Sequence, residues 1–217
     1  MGKTDQFIKA EKDRYGKIFV DINYAISAVS PFLDKNTFNR RKYVAKISTL
    51  KKYIDLIEAV ESEFNNSNFL TKLRGDKYIL LLKDYKNDNS ESLLQLEKCG
   101  RCQCLNCTTD CNFDSCLGCK TGSKIVHCDR KKINAAKHDN FFIELTNNKT
   151  GKDSKYIVLS TLQDVELNRK YIVIENTISK EKFILYYYPG ISEDNYGEIS
   201  DAEEFDFIVS TFQSIEG

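Results

Sequence analysis

The chain lacks the sequence motifs of the common enzyme classes, and it lacks a net charge. Its 217 residues contain no glycine-rich phosphate-binding loop, dinucleotide fingerprint, nucleophile elbow or His-Glu-x-x-His motif. With 32 basic and 32 acidic side chains its net charge is zero, which argues against a surface coated with basic residues for nucleic acid. We therefore expect a non-enzymatic protein and keep a metal-dependent enzyme as one alternative.

The sequence also lacks the long apolar run of a membrane-spanning helix. No run approaches the roughly 18 apolar residues that such a helix needs. The first apolar stretch, residues 18–33, is interrupted by Asp21 and Asn23 and does not resemble a signal-peptide core. Gln6 stands where a myristoylation signal has Ser or Thr. We expect a cytoplasmic protein with no membrane partner.

Cysteine is absent from most of the chain and concentrated in one place. All eight cysteines lie between Cys99 and Cys128. In a reducing cytoplasm such a cluster is more often a set of metal ligands than of disulfides. The cluster divides the sequence into three predicted domains: a helical domain (1–97), a cysteine-rich zinc module (98–137) and an acidic domain of β-sheet plus helix (138–217).

The zero net charge is a sum of unlike parts. Residues 1–97 carry a net charge of +3, residues 98–137 carry +5 and residues 138–217 carry −8. Such asymmetry indicates separate surfaces for separate partners, or two ends that attract each other.

The cysteine spacing predicts a zinc module. Three Cys-x2-Cys pairs lie within 21 residues, and each pair places two thiolates at about 2.3 Å from one zinc ion. Few apolar residues accompany them, so metal binding would supply the folding energy of this segment. We predict two or three structural zinc ions. The predicted ligands are Cys99, Cys102, Cys104, Cys107, Cys111, Cys116, Cys119, His127 and Cys128.

The ligand pairing and some other chemistries stay open. In a crossed arrangement, Cys99 and Cys102 would bind the same zinc ion as Cys116 and Cys119. The alternative is a compact cluster in which some sulfurs bridge two zinc ions. An iron–sulfur cluster fits less well, because the second gap is one residue and no proline follows a cysteine. A redox-sensitive disulfide set and a catalytic zinc are further alternatives.

The N-terminal domain is predicted to be a helical bundle. Apolar residues at helical spacing predict one helix that Pro31 ends. A second, amphipathic helix of about 25 residues would be capped by Asp34 or Asn36 and end in the asparagine-rich residues 65–68. The apolar block in residues 77–85 fits either a helix or a strand.

A short helix over residues 91–98 leads into the cysteines. Basic residues at the start of the long helix are candidate phosphate contacts, although a solvated helix face is the commoner meaning of such a run. These candidates are Arg40, Arg41 and Lys42.

The C-terminal domain changes to a period of two. Four β-rich runs at residues 141–145, 156–159, 171–174 and 183–188 predict an antiparallel four-stranded meander. A capping box over residues 200–203 predicts a final helix packed on one face. The predicted fold class is therefore α+β: a helical bundle, a zinc module and a four-stranded sheet with one helix.

Residues 138–216 resemble the YrzB-like family, small Firmicute domains of unknown function. The resemblance lies in the strand segments 142–145, 155–159 and 170–174 and in the acidic ending 201–209. It implies a similar fold and a bacterial or phage source, and it assigns no activity.

These features together predict a zinc-stabilised regulatory protein that docks on a macromolecular complex. A phage or mobile-element protein that inhibits a host or defence complex would fit. Glu203 and Glu204 are candidates for an acidic binding face toward a protein partner. The alternative is a nucleic-acid-binding regulator that uses the long helix and the basic patch Arg130, Lys131 and Lys132. The oligomeric state is left open.

Overall fold

The computed structural model describes residues 2–67, 75–114, 122–146 and 151–216. The chain forms two units. The helical unit comprises Met1–Arg101 and Leu105–Thr108, and the sheet unit comprises Cys102–Cys104 and Thr109–Gly217. Segments of the predicted zinc module therefore belong to both units. Within the described ranges, no helix is long and apolar enough to cross a membrane.

The helical unit confirms the prediction that the N-terminal part is helical. In the part of this unit that the structure describes, the helices in chain order are α1 (Lys3–Val29), α2 (Lys35–Arg40), α3 (Lys42–Asn66), α4 (Asp76–Asp88) and α5 (Ser90–Cys99). α3 has the expected length of 25 residues. The apolar block that fitted either a helix or a strand is the helix α4. It buries Tyr78, Ile79 and Leu82, whereas Leu80 and Leu81 are about half exposed.

α1 is longer than its apolar pattern predicts. It begins at Lys3 and buries Ile8 and Tyr15 on the face that continues to Val29. Two buried polar residues, Thr4 and Glu11, interrupt the apolar pattern on this face. The apolar pattern of the sequence therefore predicts only the second half of the helix. The helix ends before Pro31, as expected.

The cap predicted for the long helix belongs to a different helix. The Asp34 carboxylate accepts hydrogen bonds from the backbone N–H groups of Asn36 at 2.9 Å and Thr37 at 3.1 Å. It therefore caps the short α2, and the extended backbone of Arg41 separates α2 from α3. The pKa of Asp34 is lowered, because the Thr37 side chain and these backbone donors stabilise its charged form.

A polar and aromatic cluster lies in the core of the helical unit. The Glu11 carboxylate accepts from the Tyr53 hydroxyl at 2.5 Å and from Lys86 Nζ at 2.9 and 3.1 Å. Tyr53 also packs edge-on against Tyr15 and stacks on Tyr85, with ring centroids 5.1 and 5.4 Å apart. Burial and the hydrogen bond to Glu11 raise the pKa of Tyr53 well above its ordinary value.

The described residues form a sheet of seven strands, so the prediction of four strands is wrong. The strands are β1 (Ser123–Cys128), β2 (Ile133–His138), β3 (Phe142–Thr146), β4 (Asp153–Asp164), β5 (Arg169–Asn176), β6 (Lys182–Tyr188) and β7 (Asn195–Glu198). The order is β1-β2-β4-β5-β6-β7, with β3 also paired to β4. β1 and β2 come from the segment predicted as the zinc module, and β7 is only four residues long.

The twelve-residue strand β4 joins the sheet together. Its first half pairs with β3 and its second half with β2, while β5 pairs along the other edge. The final helix, α6 (Ala202–Glu216), packs Ile208 and Phe212 against Tyr171 and Val173. Its cap is Asp201, whose carboxylate accepts from the Glu204 N–H at 2.9 Å, one residue later than predicted.

Tyr53→Phe should destabilise the helical unit. The change removes the hydroxyl that donates to the buried Glu11 carboxylate, and a hydrogen bond to a charged group contributes about 1.5–3 kcal/mol. We expect the free energy of unfolding, measured by urea denaturation, to fall by about 2 kcal/mol. Tyr24→Phe is the matched control, because this side chain is 74% exposed. Equal effects of the two substitutions would contradict the role given to the Tyr53 hydroxyl.

Candidate metal centre and binding surfaces

Four cysteines pack together against the β1–β2 hairpin. Ile125 of β1 and Ala136 of β2 lie opposite each other in the sheet register, and their side chains form the apolar base of the group. We call this group the cysteine cluster. It contains Cys102, Cys104, Cys111, Cys128, Ile125 and Ala136.

The segment that carries the first two of these cysteines runs along the outer edge of β1. The Gln103 N–H donates to the Ile125 carbonyl at 3.0 Å, and the Ile125 N–H donates to Cys102 Sγ at 3.3 Å. Both polar backbone groups of Ile125 therefore face this segment. An N–H donor favours the thiolate form of a cysteine, which is the form that binds metal.

The continuation of this segment is also held on the sheet unit. Phe113 is 2% exposed, and the Cys111 thiol donates to the Phe113 carbonyl at 3.5 Å. Asp114 forms an ion pair with Lys170 of β5 at 2.6 Å. Residues 109–114 thus have apolar, hydrogen-bonded and ionic contacts within the sheet unit.

The other predicted ligands lie elsewhere. Cys99 packs in the core of the helical unit, where the Gln95 side-chain amide donates to its sulfur at 3.5 Å. Cys107 also belongs to the helical unit and is half-buried. Cys116 and Cys119 lie outside the described residues. The sequence spacing alone gave no signal for this division.

His127 and Cys128 face opposite sides of the sheet. His127 is opposite Ala135, and Ala135 packs under α6. Cys128 packs instead in the cysteine cluster on the other face. Because neighbouring side chains of a strand alternate between faces, the two adjacent predicted ligands do not point to a common site.

The metal prediction is not settled by the described side chains. In the parts of the chain that the structure describes, no group of three or more His, Cys, Asp or Glu side chains is arranged to hold a metal ion. A zinc module is therefore not shown, and zinc binding stays a prediction that rests on the cysteine spacing and on the shared packing of four cysteines.

The turn between β1 and β2 holds most of the predicted basic patch. The Asp129 carboxylate accepts from the backbone N–H groups of Lys131, Lys132 and Ile133 at 2.9, 2.8 and 3.0 Å. Arg130 and Lys131 are exposed. Lys132 instead lies 3.7 Å from Glu166 and 4.0 Å from buried Asp164, so it balances charges inside the sheet unit.

The basic residues at the long helix are divided in a similar way. Arg41 has no exposed surface, so an external phosphate cannot reach its guanidinium group. Arg40 is exposed and Lys42 is half-buried. The three consecutive basic residues therefore do not form one accessible patch.

The two predicted acidic binding residues are also separated. Glu203 is exposed, whereas Glu204 is 9% exposed. The Glu204 carboxylate pairs with Arg169 and accepts from the hydroxyl groups of Tyr171 at 2.6 Å and Tyr186 at 3.0 Å. Burial and this hydrogen bond raise the pKa of Tyr171 above its ordinary value. Glu204 thus anchors α6 to the sheet.

Sequence reasoning missed an apolar groove beside α6. The groove has a volume of about 430 Å³ and lies between β6 and α6. Ile184 and Leu185 line it from the sheet, and Phe205, Val209 and Phe212 line it from the helix. The sequence predicts the final helix, but only the structure shows that these three of its apolar residues face a groove.

Comparison with known proteins gave no relative on which to base a function: no family model, curated protein or solved structure matches this chain. The resemblance of residues 138–216 to the YrzB-like family therefore stays a prediction.

Asp129→Ala should destabilise the β1–β2 turn. Burial opposes ionisation of Asp129, but its three backbone donors outweigh this effect and lower its pKa. Because the pKa of Asp129 is lower in the folded protein than in the unfolded chain, its charged form stabilises the fold above about pH 3.9, the unfolded pKa. This stabilisation is lost as the pH falls through the folded-state pKa. We expect a loss of about 1 kcal/mol at neutral pH in thermal unfolding, which shrinks in acid.

Asp129→Asn is the control for this turn. Its amide oxygen can still accept the backbone hydrogen bonds, but it carries no charge. We expect most of the stability to be kept and the acid dependence to be reduced. A loss in Asp129→Ala that stayed constant down to strongly acidic pH would contradict this account.

Proposed function

We propose that the chain is a non-enzymatic, zinc-stabilised binding protein that docks on a macromolecular partner through its sheet unit. The observation that carries this proposal is the packing of four cysteines against the β1–β2 hairpin. Cysteine thiolates are typical ligands of structural zinc, which completes its coordination with protein side chains and leaves no position for a substrate. Two or three zinc ions would use the eight cysteines.

Zinc would hold the cysteine segment on the edge of the sheet. Residues 102 and 103 bond to Ile125 of β1, and Cys104 is the one cysteine of this cluster that is buried. A metal ion linked to several thiolates would add the energy that so small an apolar group cannot supply.

The charge of the C-terminal part of the sheet unit supports a protein partner. Residues 138–217 hold 7 basic and 15 acidic side chains, so this part of the chain favours a basic partner. A role as a phage or mobile-element regulator of a host or defence complex is compatible with this charge and stays part of the proposal.

The nucleic-acid alternative has less support from the described contacts. Arg41 is buried, and Lys132 is close to Asp164 and Glu166. The exposed pair Arg130 and Lys131 would make few phosphate contacts, so their contribution to affinity and its salt dependence would be small.

Metal analysis tests the zinc proposal. The purified chain should contain two or three zinc ions, and a chelator should lower the thermal stability of the sheet unit because metal-binding energy becomes folding energy. Cys104→Ala should reduce the zinc content by about one ion per chain, since a structural site that loses one of four ligands binds zinc far more weakly.

Ile125→Ala is the matched control for the metal. It removes apolar contacts from the same cluster but leaves all thiolates in place. We expect it to lower stability by about 2–4 kcal/mol while the zinc content stays unchanged. A chain that is purified without zinc and is unaffected by a chelator would contradict the proposal.

Charge reversal tests the acidic binding surface. Glu203→Lys combined with Asp206→Lys should weaken retention of the native partner from its own cells at least tenfold, because both residues are exposed on α6. Glu204 is left unchanged, since its carboxylate is needed inside the unit. Unchanged retention by the double variant would remove the acidic surface from the proposal.

A further inference from the structure

The outer side of α1 carries exposed apolar residues. Val20 is 64% exposed and Tyr24 is 74% exposed, and Ala28 is exposed one helical turn further on. These three residues, which we call the α1 stripe, lie on one side of the helix because they are four residues apart. The opposite side of α1 is buried in the helical core through Ile22 and Ala25. Apolar side chains that are exposed in a row, rather than singly, are typical of a contact surface.

Two charged side chains beside the α1 stripe, Lys17 and Asp21, form no ion pair with any residue that the structure describes. A lysine that precedes an acid by four residues is the less favourable order for an ion pair within one helix. Both charges are therefore available to a second molecule. Every other charged side chain of residues 9–21 is already paired. Those pairs are Lys9–Asp13, Glu11–Lys86, Lys12–Glu61 and Arg14–Glu97.

An antiparallel second copy of α1 would pair both of these charges at once. A two-fold axis beside residue 19 places Lys17 of each copy next to Asp21 of the other, because the two residues lie at equal distances on either side of the axis. The same axis brings the two Val20 side chains to within about 3 Å of each other along the helix direction. A parallel arrangement would instead place like charges side by side, which weakens an interface. The charges therefore favour the antiparallel orientation.

The ends of the overlapping helices also match in size. In this arrangement Ala28 of one copy lies opposite the exposed Ala10 of the other, and small side chains at a contact let two helices pack closely. Tyr24 lies between Asp13 and Lys17 of the second copy, where its ring can cover the lysine stem. Residues 9–29 of the two copies overlap over about 30 Å. The contact thus continues along the α1 stripe on both sides of the axis.

We propose that two copies of this chain form a two-fold symmetric dimer through antiparallel packing of α1. The α1 stripes of the two copies face each other, and two reciprocal ion pairs between Lys17 and Asp21 flank them. Such an interface uses the same surface of both copies and closes at two, so it does not continue into a filament. The inference goes beyond the proposed binding function, because it requires neither zinc nor the acidic surface of α6.

Sedimentation equilibrium of the full chain tests the association. An apolar stripe with two large side chains per copy is small for a protein interface, so we expect a weak dimer with a Kd on the order of 10 μM. The average mass should rise from that of a monomer toward that of a dimer as the protein concentration increases from about 1 to 500 μM. A monomer at every concentration would overturn the inference.

Exchange of the two charges tests the antiparallel register. Lys17→Asp and Asp21→Lys each create two contacts between like charges, so each variant should dimerise at least tenfold more weakly. The double variant restores opposite charges across the axis and keeps the net charge, and its Kd should lie within about threefold of that of the unmodified chain. A double variant as weak as the single variants would contradict the register. Single variants that dimerise normally would contradict the ion pairs.

Val20→Lys tests the apolar centre of the interface. It places two like charges side by side at the axis and should weaken dimerisation more than tenfold. Ile178→Lys is the matched control, since Ile178 is 91% exposed between β5 and β6 and the change in net charge is the same. The control should dimerise like the unmodified chain, and circular dichroism checks that both variants fold. Equal losses of affinity would contradict the role of the α1 stripe.

Further results separate this dimer from other assemblies. The measurements are made with a reducing agent, because the eight cysteines could otherwise link copies covalently. A dimer that formed only without the reducing agent would be a disulfide product and would overturn the inference. Complexes larger than a dimer would contradict a closed two-fold interface. Zinc content is measured on the same samples, so dimerisation of a zinc-free chain would support this inference and contradict only the zinc proposal.

Discussion

The sheet unit depends on one constraint: every strand at the border of a sheet leaves backbone N–H and C=O groups that must be paired, covered or left to solvent. At β1 the cysteine segment meets this need, because both polar groups of Ile125 bond to residues 102–103. At the opposite border, β7 covers only half of β6. The same constraint thus explains why the segment with Cys102 and Cys104 lies along the edge of β1.

The sequence predicts those elements whose local pattern and tertiary environment agree. The length of α3 follows from its apolar stripe, and β4, β5 and β6 follow from their β-branched and aromatic runs. β2 contains the weak strand formers Asn134, Ala135 and Ala136, and they are buried there because neighbouring strands provide the pairing. β7 is equally weak by pattern. Tertiary pairing overrides local preference in both.

Single charged residues show the limit of the prediction for the candidate sites. Glu203 and Glu204 are neighbours in an acidic run, but helix geometry exposes the first and turns the second toward Arg169 and Tyr171. In the same way, Arg41 is buried although its sequence neighbours Arg40 and Lys42 are exposed and half-buried, respectively. The spacing of the cysteines predicts metal-binding chemistry, but it cannot divide them between units, because that division depends on which residues pack against Ile125 and Ala136.

The two borders of the sheet differ in a property that can be measured without any ligand. Residue-resolved hydrogen exchange of the unbound protein should find the Ile125 amide protected, since it donates to Cys102. In β6 it should find slow exchange at Phe183 and Leu185, which pair with β5, and faster exchange at Lys182, which lies beyond the last residue that pairs with β7. Equal protection of Lys182 and Phe183, or an unprotected Ile125 amide, would contradict this account of the two borders.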